Sequence, residues 1–224
     1  MRRKFALKTL LAATALAVTA AGCSAATADA NGGSARGLAG AAGQGRHVDY
    51  TPLSSPADAV GKADLIVSGT LVDVTDGIRL VQGDRARDER EEGAYATFVI
   101  DVDRVLDGDA RQVTGGRVYV SMRKNRSVTP NRLAELNPKA EIVAVLDDIT
   151  GWRPDPVTAV RRPSAIPAAA PLYAPYTDGI WLQGERDDEM FGITVEHSDL
   201  PPSWGSVRDV EQFKNKIEAA TPRN

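Results

Sequence analysis

The chain has 224 residues, 42% apolar and 25% charged, with one cysteine and two histidines. That is a globular composition with room for one ordinary domain, and it excludes an internal disulfide, a CxxC zinc site and a histidine-rich metal centre. Without the four cations of residues 1–22 (Arg2, Arg3, Lys4, Lys8), 23 Lys and Arg face 30 Asp and Glu, a formal charge of −7; that balance argues against nucleic acid, whose binding depends on a basic face.

Residues 1–22 follow the pattern of a signal peptide: a cationic start, an apolar run from Leu10 to Ala21 that is short for a membrane span, then small residues. The run ends Ala20-Ala21-Gly22-Cys23, which resembles the lipobox of bacterial lipoproteins, with Ala20 in place of the usual leucine. The resemblance implies that the Cys23 thiol carries diacylglycerol and acyl chains such as palmitate, and that the chain is cut just before it. Membrane lipid is then a partner through Cys23, and the protein sits on the extracytoplasmic side of the cell membrane. The alternative is an ordinary secretory signal with a stray cysteine. Arg2-Arg3-Lys4-Phe5 resembles a twin-arginine export signal, although Ala6-Leu7 replaces the expected leucine-lysine; ordinary export of the unfolded chain stays open beside it.

Residues 23–46 contain almost nothing large and apolar, so they are expected to form a flexible tether of roughly 25 Å, ahead of a domain over 47–224. Ser54-Ser55-Pro56 is a helix start, with Gly61 keeping the helix short. Ala63 to Val74 reads as the first strand, Leu65, Val67, Gly69 and Leu71 on one face and Ile66, Ser68, Thr70 and Val72 on the other. Gly69 predicts a bulge or bend. Thr75-Asp76-Gly77 predicts a second, with Ile78 to Val81 continuing the strand, and the mixed-charge segment Gly83 to Gly93 reads as a solvated hairpin tip.

Tyr95 to Leu106 alternates as a second strand, broken by Arg104 and turned by Asp107-Gly108-Asp109. Arg117 to Met122 reads as the third. Thr129-Pro130 opens a short helix to Leu136, and Glu141 to Leu146 is a strand buried on both sides. Residues 151–178 read as a proline-rich excursion, followed by a hairpin of Gly179–Leu182 with Glu189–Val195. The chain ends in a helix whose capping box is expected at Ser206 to Asp209, with an apolar stripe of Val207, Val210, Phe213 or Lys214, and Ile217.

Three strands, a short helix and further strands match an OB-type Greek-key barrel, so the fold class expected is mainly β: a small OB-like barrel with short helices and a C-terminal helix. The segments Ala63 to Val72 and Val102 to Gly108 resemble secreted bacterial domains of unknown function, with the pattern "AD-apolar-V-x-G-x-V" and then "V-x-x-V-L-K/D-G". The pattern is similar to the netrin-like barrel of tissue metalloproteinase inhibitors. Those inhibitors act through a disulfide-bonded N-terminal cysteine; here no second cysteine exists, so the resemblance implies a scaffold and no inhibitory activity.

Chemistry is harder to place. Asp101 and Asp103 share a strand face, but they lack the third ligand and the glycine of a calcium loop. His197-Ser198-Asp199 holds triad residue types, yet neighbours in an extended chain diverge where a triad must converge. No nucleophile elbow, phosphate loop or dinucleotide fingerprint is present. No catalytic residue, metal ligand or cofactor is therefore assigned. Trp152, Tyr173, Tyr176 and Trp181 flank the proline-rich excursion, and aromatic platforms can stack on sugars or grip peptides; the competing reading is that they pin the loop to the barrel. The function expected is a membrane-anchored binding module for an envelope protein or glycan. The alternatives are a hydrolytic enzyme with a carboxylate site, using Asp101 and Asp103, and a passive envelope component.

Overall fold

The computed structural model describes residues 33–43, 49–82, 85–86 and 94–222. The leader, Cys23 and most of the Gly83–Gly93 tip lie outside them. Helix α1 (Ala35–Gly43) stands where the sequence predicted tether. Its Ala35, Leu38, Ala39 and Ala42 are buried, at the i, i+3, i+4, i+7 spacing of a helix that covers a core. The segment has few large apolar side chains to mark it as part of a core. Alanine, however, is the strongest helix former, and small residues let a helix lie close against a barrel end. The compact unit accordingly begins at Asn31, ahead of the expected residue 47.

Helix α2 (Pro56–Lys62) is capped as predicted, the Ser55 hydroxyl accepting the Asp58 N–H at 3.0 Å. Strand β1 (Leu65–Asp76) follows, and it breaks register beside Gly69, where an added Cβ would lie 2.0 Å from the Asp101 carbonyl. A further break between Leu71 and Asp73 puts both Leu71 and Val74 in the barrel interior. Beyond Asp76 the chain does not continue the strand. It forms β2 (Arg79–Gln82), paired with β3 (Arg85–Ala86) in a separate sheet.

Strand β4 (Tyr95–Gly108) buries Ala96, Phe98 and Ile100 on the predicted face. Next come β5 (Arg117–Arg123) and α3 (Pro130–Leu136), whose cap is the Thr129 hydroxyl. Strand β6 (Glu141–Asp148) is buried on both sides as expected, with Ile142, Ala144 and Leu146 facing the barrel and Val143 and Val145 the outer layer. Strand β7 (Thr158–Arg161) completes the small sheet against β2. Strand β8 (Leu172–Gln183) pairs with β6 and then with β9 (Phe191–Gly192).

Helix α4 (Val210–Ala220) starts later than its expected box. Asp209 is the cap, accepting the Gln212 N–H at 2.7 Å, while Gln212 Oε1 accepts the Arg208 N–H at 3.0 Å. The Asp209 cap, with Gln212 bonded to the residue before it, therefore takes the place of the expected box. Of the predicted stripe, Val207, Val210, Phe213 and Ile217 are buried.

The barrel strands run in the order β5-β4-β1-β6-β8 and close by a parallel pairing of β5 with β8. With α3 between the third and fourth barrel strands, this is the OB-type topology, in a protein that is mainly β. Phe98, Ile142 and Tyr173 fill the interior, and α1 and Leu133 of α3 pack onto it. A second layer lies outside β1 and β6, where Trp204 stacks on Phe213 at 4.6 Å. A third cluster, built on Ile78, Ile166 and Leu172, holds the small sheet to the barrel wall.

Candidate functional site

The four aromatics named from the sequence do not come together. The expected excursion over 151–178 contains β7 and the first half of β8, so most of these side chains are set by strand register. Tyr173 is fully buried inside the barrel. Trp181 is fully buried in the outer layer, its indole N–H donating to the Asp178 carbonyl at 2.8 Å. Tyr176 is half-buried and donates its hydroxyl to the Lys62 carbonyl at 2.8 Å. Trp152 alone is exposed, at 40%. The prolines have a packing reason as well: the Pro163 and Pro167 carbonyls close turns on Ile166 and Ala170, both buried in the third cluster. A ligand platform of Trp152, Tyr173, Tyr176 and Trp181 is therefore corrected to three packing residues and one surface residue.

Asp101 and Asp103 are separated by a bulge. Ser68 pairs with Arg104 and Gly69 with Val102, leaving Asp103 as the extra residue on β4. A bulge breaks the two-residue alternation, which also accounts for Arg104 interrupting the apolar row. Asp101 is bound by Arg117 Nε at 2.7 Å. His197-Ser198-Asp199 forms a single 3₁₀ turn in which Asp199 Oδ2 accepts the Glu196 N–H at 2.8 Å and the His197 ring meets the Trp181 edge at 5.9 Å.

Asp103 instead lines a groove of about 550 Å³ in which seven of the eleven lining residues are acidic. The groove forms where β6 begins and β8 ends, Glu141 lying opposite Gln183. Gln183 ties three elements together: its Nε2 donates to the Asp187 carbonyl at 2.9 Å and its Oε1 accepts the Val210 N–H at 2.8 Å. Asp187 Oδ2 accepts the Gly184 N–H at 2.9 Å, which fixes the β8–β9 loop. Asp209 and Glu211 add the acidic first turn of α4.

Two lysines answer these carboxylates. Lys214, with a side chain 17% exposed, reaches Glu141 at 2.9 Å and Glu211 at 2.5 Å. Its hydrogen bond holds Glu211 below the usual carboxylate range, against a smaller opposing effect of burial. Burial would lower Lys214, but its bonds to Glu211 and Glu141 outweigh that and raise it. Lys139 has φ 56°, a positive φ that among the described residues no other non-glycine adopts. Asn137 secures it, Oδ1 accepting the Lys139 N–H at 2.9 Å and Nδ2 donating to the Leu71 carbonyl at 2.7 Å. A left-handed non-glycine is costly and concentrates at working sites; here it sits on the groove wall.

A cleft lined by one sign of charge focuses the field and raises the local concentration of the opposite ion. Among the described residues no three His, Cys, Asp or Glu side chains are placed to hold a metal ion, so the carboxylates are dispersed along the groove. That spacing suits an extended cationic segment. Glu141, Glu185, Asp187, Asp188, Asp209 and Glu211 were not singled out from the sequence, because each reads as a strand-end, turn or capping residue. Their one signal is that acids crowd two element ends, 185–189 and 209–211. No protein-family model, curated protein or solved structure matches the chain, so function is argued from the site and not from the fold.

Proposed function

We propose that the protein is a lipid-anchored extracytoplasmic binding module whose barrel presents the acidic groove to a cationic segment of an envelope protein. The groove carries this reading: seven acidic residues face a concave surface beside Lys139, with Lys214 behind Glu141 and Glu211. The lipobox at Cys23 supplies the anchor. A hydrolytic role for the same carboxylates is less well supported, because a general acid needs a raised pKa and Glu211 moves down.

The test uses the full-length chain. A lysine-rich peptide should bind with an affinity that falls steeply with salt, and Glu141→Gln combined with Asp188→Asn should weaken it about tenfold, an effect on the order of 1.4 kcal/mol. Cys23→Ser should abolish lipid labelling and release the protein from the membrane fraction. Salt-independent binding, or binding unchanged in the double variant, removes the groove from the reading; a Cys23→Ser protein retained on membranes after a carbonate wash removes the anchor.

A further inference from the structure

The loop between β6 and β7 belongs to neither the groove nor the core. Among the described residues, the large apolar side chains left exposed are Trp152, at 40%, and Val157, at 65%. A single exposed apolar residue is ordinary. These two share one loop, and that loop is held in shape. The Trp152 N–H donates to the Ile149 carbonyl at 2.9 Å, and the Leu172 N–H donates to the Thr150 hydroxyl at 3.0 Å. Asp155 Oδ1 accepts the Val157 and Thr158 N–H groups at 3.0 and 2.8 Å, and Oδ2 accepts the Thr158 hydroxyl at 3.0 Å. Pro154 and Pro156 fix two more backbone angles. On either side, Ile149 and Val160 pack against the third cluster. A stiff turn therefore presents Trp152 and Val157 to solvent.

The charge of this region is opposite to that of the whole chain. Residues 149–162 hold three cations, Arg153, Arg161 and Arg162, against one acid, Asp155, in a chain of net charge −3. That acid is engaged in its own turn. The Asp148 carboxylate, just ahead of the loop, accepts the Thr150 N–H at 2.7 Å. Arg153 and Arg161 are exposed, while the half-buried Arg162 donates from Nη1 to the Ala170 carbonyl at 2.6 Å. Arg161 stands opposite the exposed Arg79 of β2, and antiparallel partners share a face, so the small sheet sets a second guanidinium beside it. This sheet is held to the barrel through Val99 of β4 and Tyr119 of β5. The groove instead opens beside α4, whose layer covers β1 and β6.

We propose that Trp152, Val157, Arg153 and Arg161 form a membrane-docking surface, with the two apolar side chains entering the headgroup region of an anionic bilayer and the guanidinium groups binding lipid phosphates. Tryptophan is favoured at that depth because its ring is amphipathic. Arginine offers a phosphate two parallel N–H donors. The inference rests on the anchored reading only in that the anchor brings the chain to the bilayer. The segment from Ser24 to Gly33 reaches at most roughly 35 Å, so an anchor at Cys23 does not by itself decide which side of the barrel meets the lipid. A docked loop decides it. The acidic groove then lies away from the anionic surface that would repel it, open to a cationic partner.

The experiment mixes the full-length chain with vesicles of brominated phosphatidylglycerol and phosphatidylcholine and reads tryptophan emission. Trp181 and Trp204 are fully buried, so Trp152 is the ring that lipid bromine can reach, and Trp152→Phe supplies the background. We expect quenching that Trp152→Phe abolishes, that falls with added salt, and that is lost on vesicles of brominated phosphatidylcholine alone. Arg153→Gln and Arg161→Gln should each lower the ratio of docked to free loop roughly fivefold, at about 1 kcal/mol per basic residue near an anionic surface. Val157→Asp keeps the reporter and should undock it. All four positions are exposed, so the variants should fold, which circular dichroism checks. Lipid labelling of Cys23 with Trp152 unquenched overturns the docking surface and leaves the anchor standing. Quenching without lipid labelling upholds the surface and removes the anchor. Quenching that is equal on neutral vesicles and unchanged in both glutamine variants overturns the proposal. So does shielding of Trp152 from aqueous acrylamide that grows with protein concentration in the absence of lipid, which would place a second copy of the chain on the loop.

Discussion

At one end of the β6–β8 ladder Lys214 bridges Glu141 and Glu211 and draws Glu211 further into its charged form. At the other end, roughly 20 Å away by strand rise, burial first and then Asp64 and Asp148 raise Asp147, which retains a proton more readily than a free aspartate. The two ends share a strand pair and carry carboxyl groups, but those groups are shifted in opposite directions. The difference comes from the surroundings: a half-buried lysine of α4 in one case, burial and then neighbouring carboxyls in the other. A count of acids therefore does not measure the charge that a ligand meets.

The comparison requires a common rigid interior beneath both ends, and the largest expected effect tests that. Phe98 is fully buried in the barrel, so Phe98→Ala should cost about 3–5 kcal/mol in urea unfolding. It should also loosen hydrogen-exchange protection of the amides of Glu141 and Asp148 together. Loss of protection at one end only would mean that the ends are independent units, and the comparison between them would then say little about the ladder.

An intermediate effect comes from Asp178, on the same strand between the two ends. It is 4% exposed; one oxygen accepts the Leu53 N–H at 2.8 Å and the other has no partner. Burial raises its pKa despite the bond from Leu53. A carboxyl raised in the folded state binds protons there that the unfolded chain has lost, so stability should fall as pH climbs through the folded value. Asp178→Asn keeps an acceptor for Leu53 and should flatten that fall. Asp178→Ala leaves the Leu53 N–H buried and unpaired, and should cost about 1–3 kcal/mol. Thermal melts of the three proteins across pH check the ordering; an alanine variant as stable as the asparagine one would sink the hydrogen-bond argument.

Much of the barrel could be read from the chain. Alternation placed Leu65 and Phe98 correctly, the apolar run of Glu141 to Leu146 marked a strand buried on both sides, and Gly69 announced its bulge. What failed depended on partners distant in sequence. The helix of Ala35–Gly43 has no large apolar residue except Leu38, and it becomes a helix because it lies on a barrel end assembled much later in the chain. Tyr173 and Trp181 sit beside prolines and look like a loop platform until register with β6 turns one inward and buries the other beneath α4. Asp101 and Asp103 share a face by simple alternation, and only the pairing of β1 with β4 reveals that Asp103 is the bulged residue. The groove was not legible for the same reason. Glu141, Asp188 and Asp209 are far apart in sequence, and each has an ordinary local role in its own element.

The smallest effect distinguishes the two ends most directly, because its sign should differ between them. Glu211 is lowered in the folded state, so Lys214 contributes stability that is fully present above the unfolded pKa of the carboxylate and is lost as pH falls through the folded value. Lys214→Met should therefore destabilise the protein at neutral pH and approach wild-type stability in acid. Asp147 is raised, so its ionisation works against folding, and the penalty appears as pH rises through the folded value. Asp147→Asn should leave acid stability alone and raise stability at neutral pH. Both positions are near solvent, with Glu141 and Glu211 side chains 46% and 67% exposed, so each change should amount to only a few tenths of a kcal/mol up to about 1 kcal/mol. Paired melts of the two variants against wild type, from about pH 4 to 8, should give difference curves that diverge with opposite sign toward neutral pH. If both variants lose stability at neutral pH, the Asp147 carboxylate is held by a favourable partner, and the opposition between the two ends does not stand.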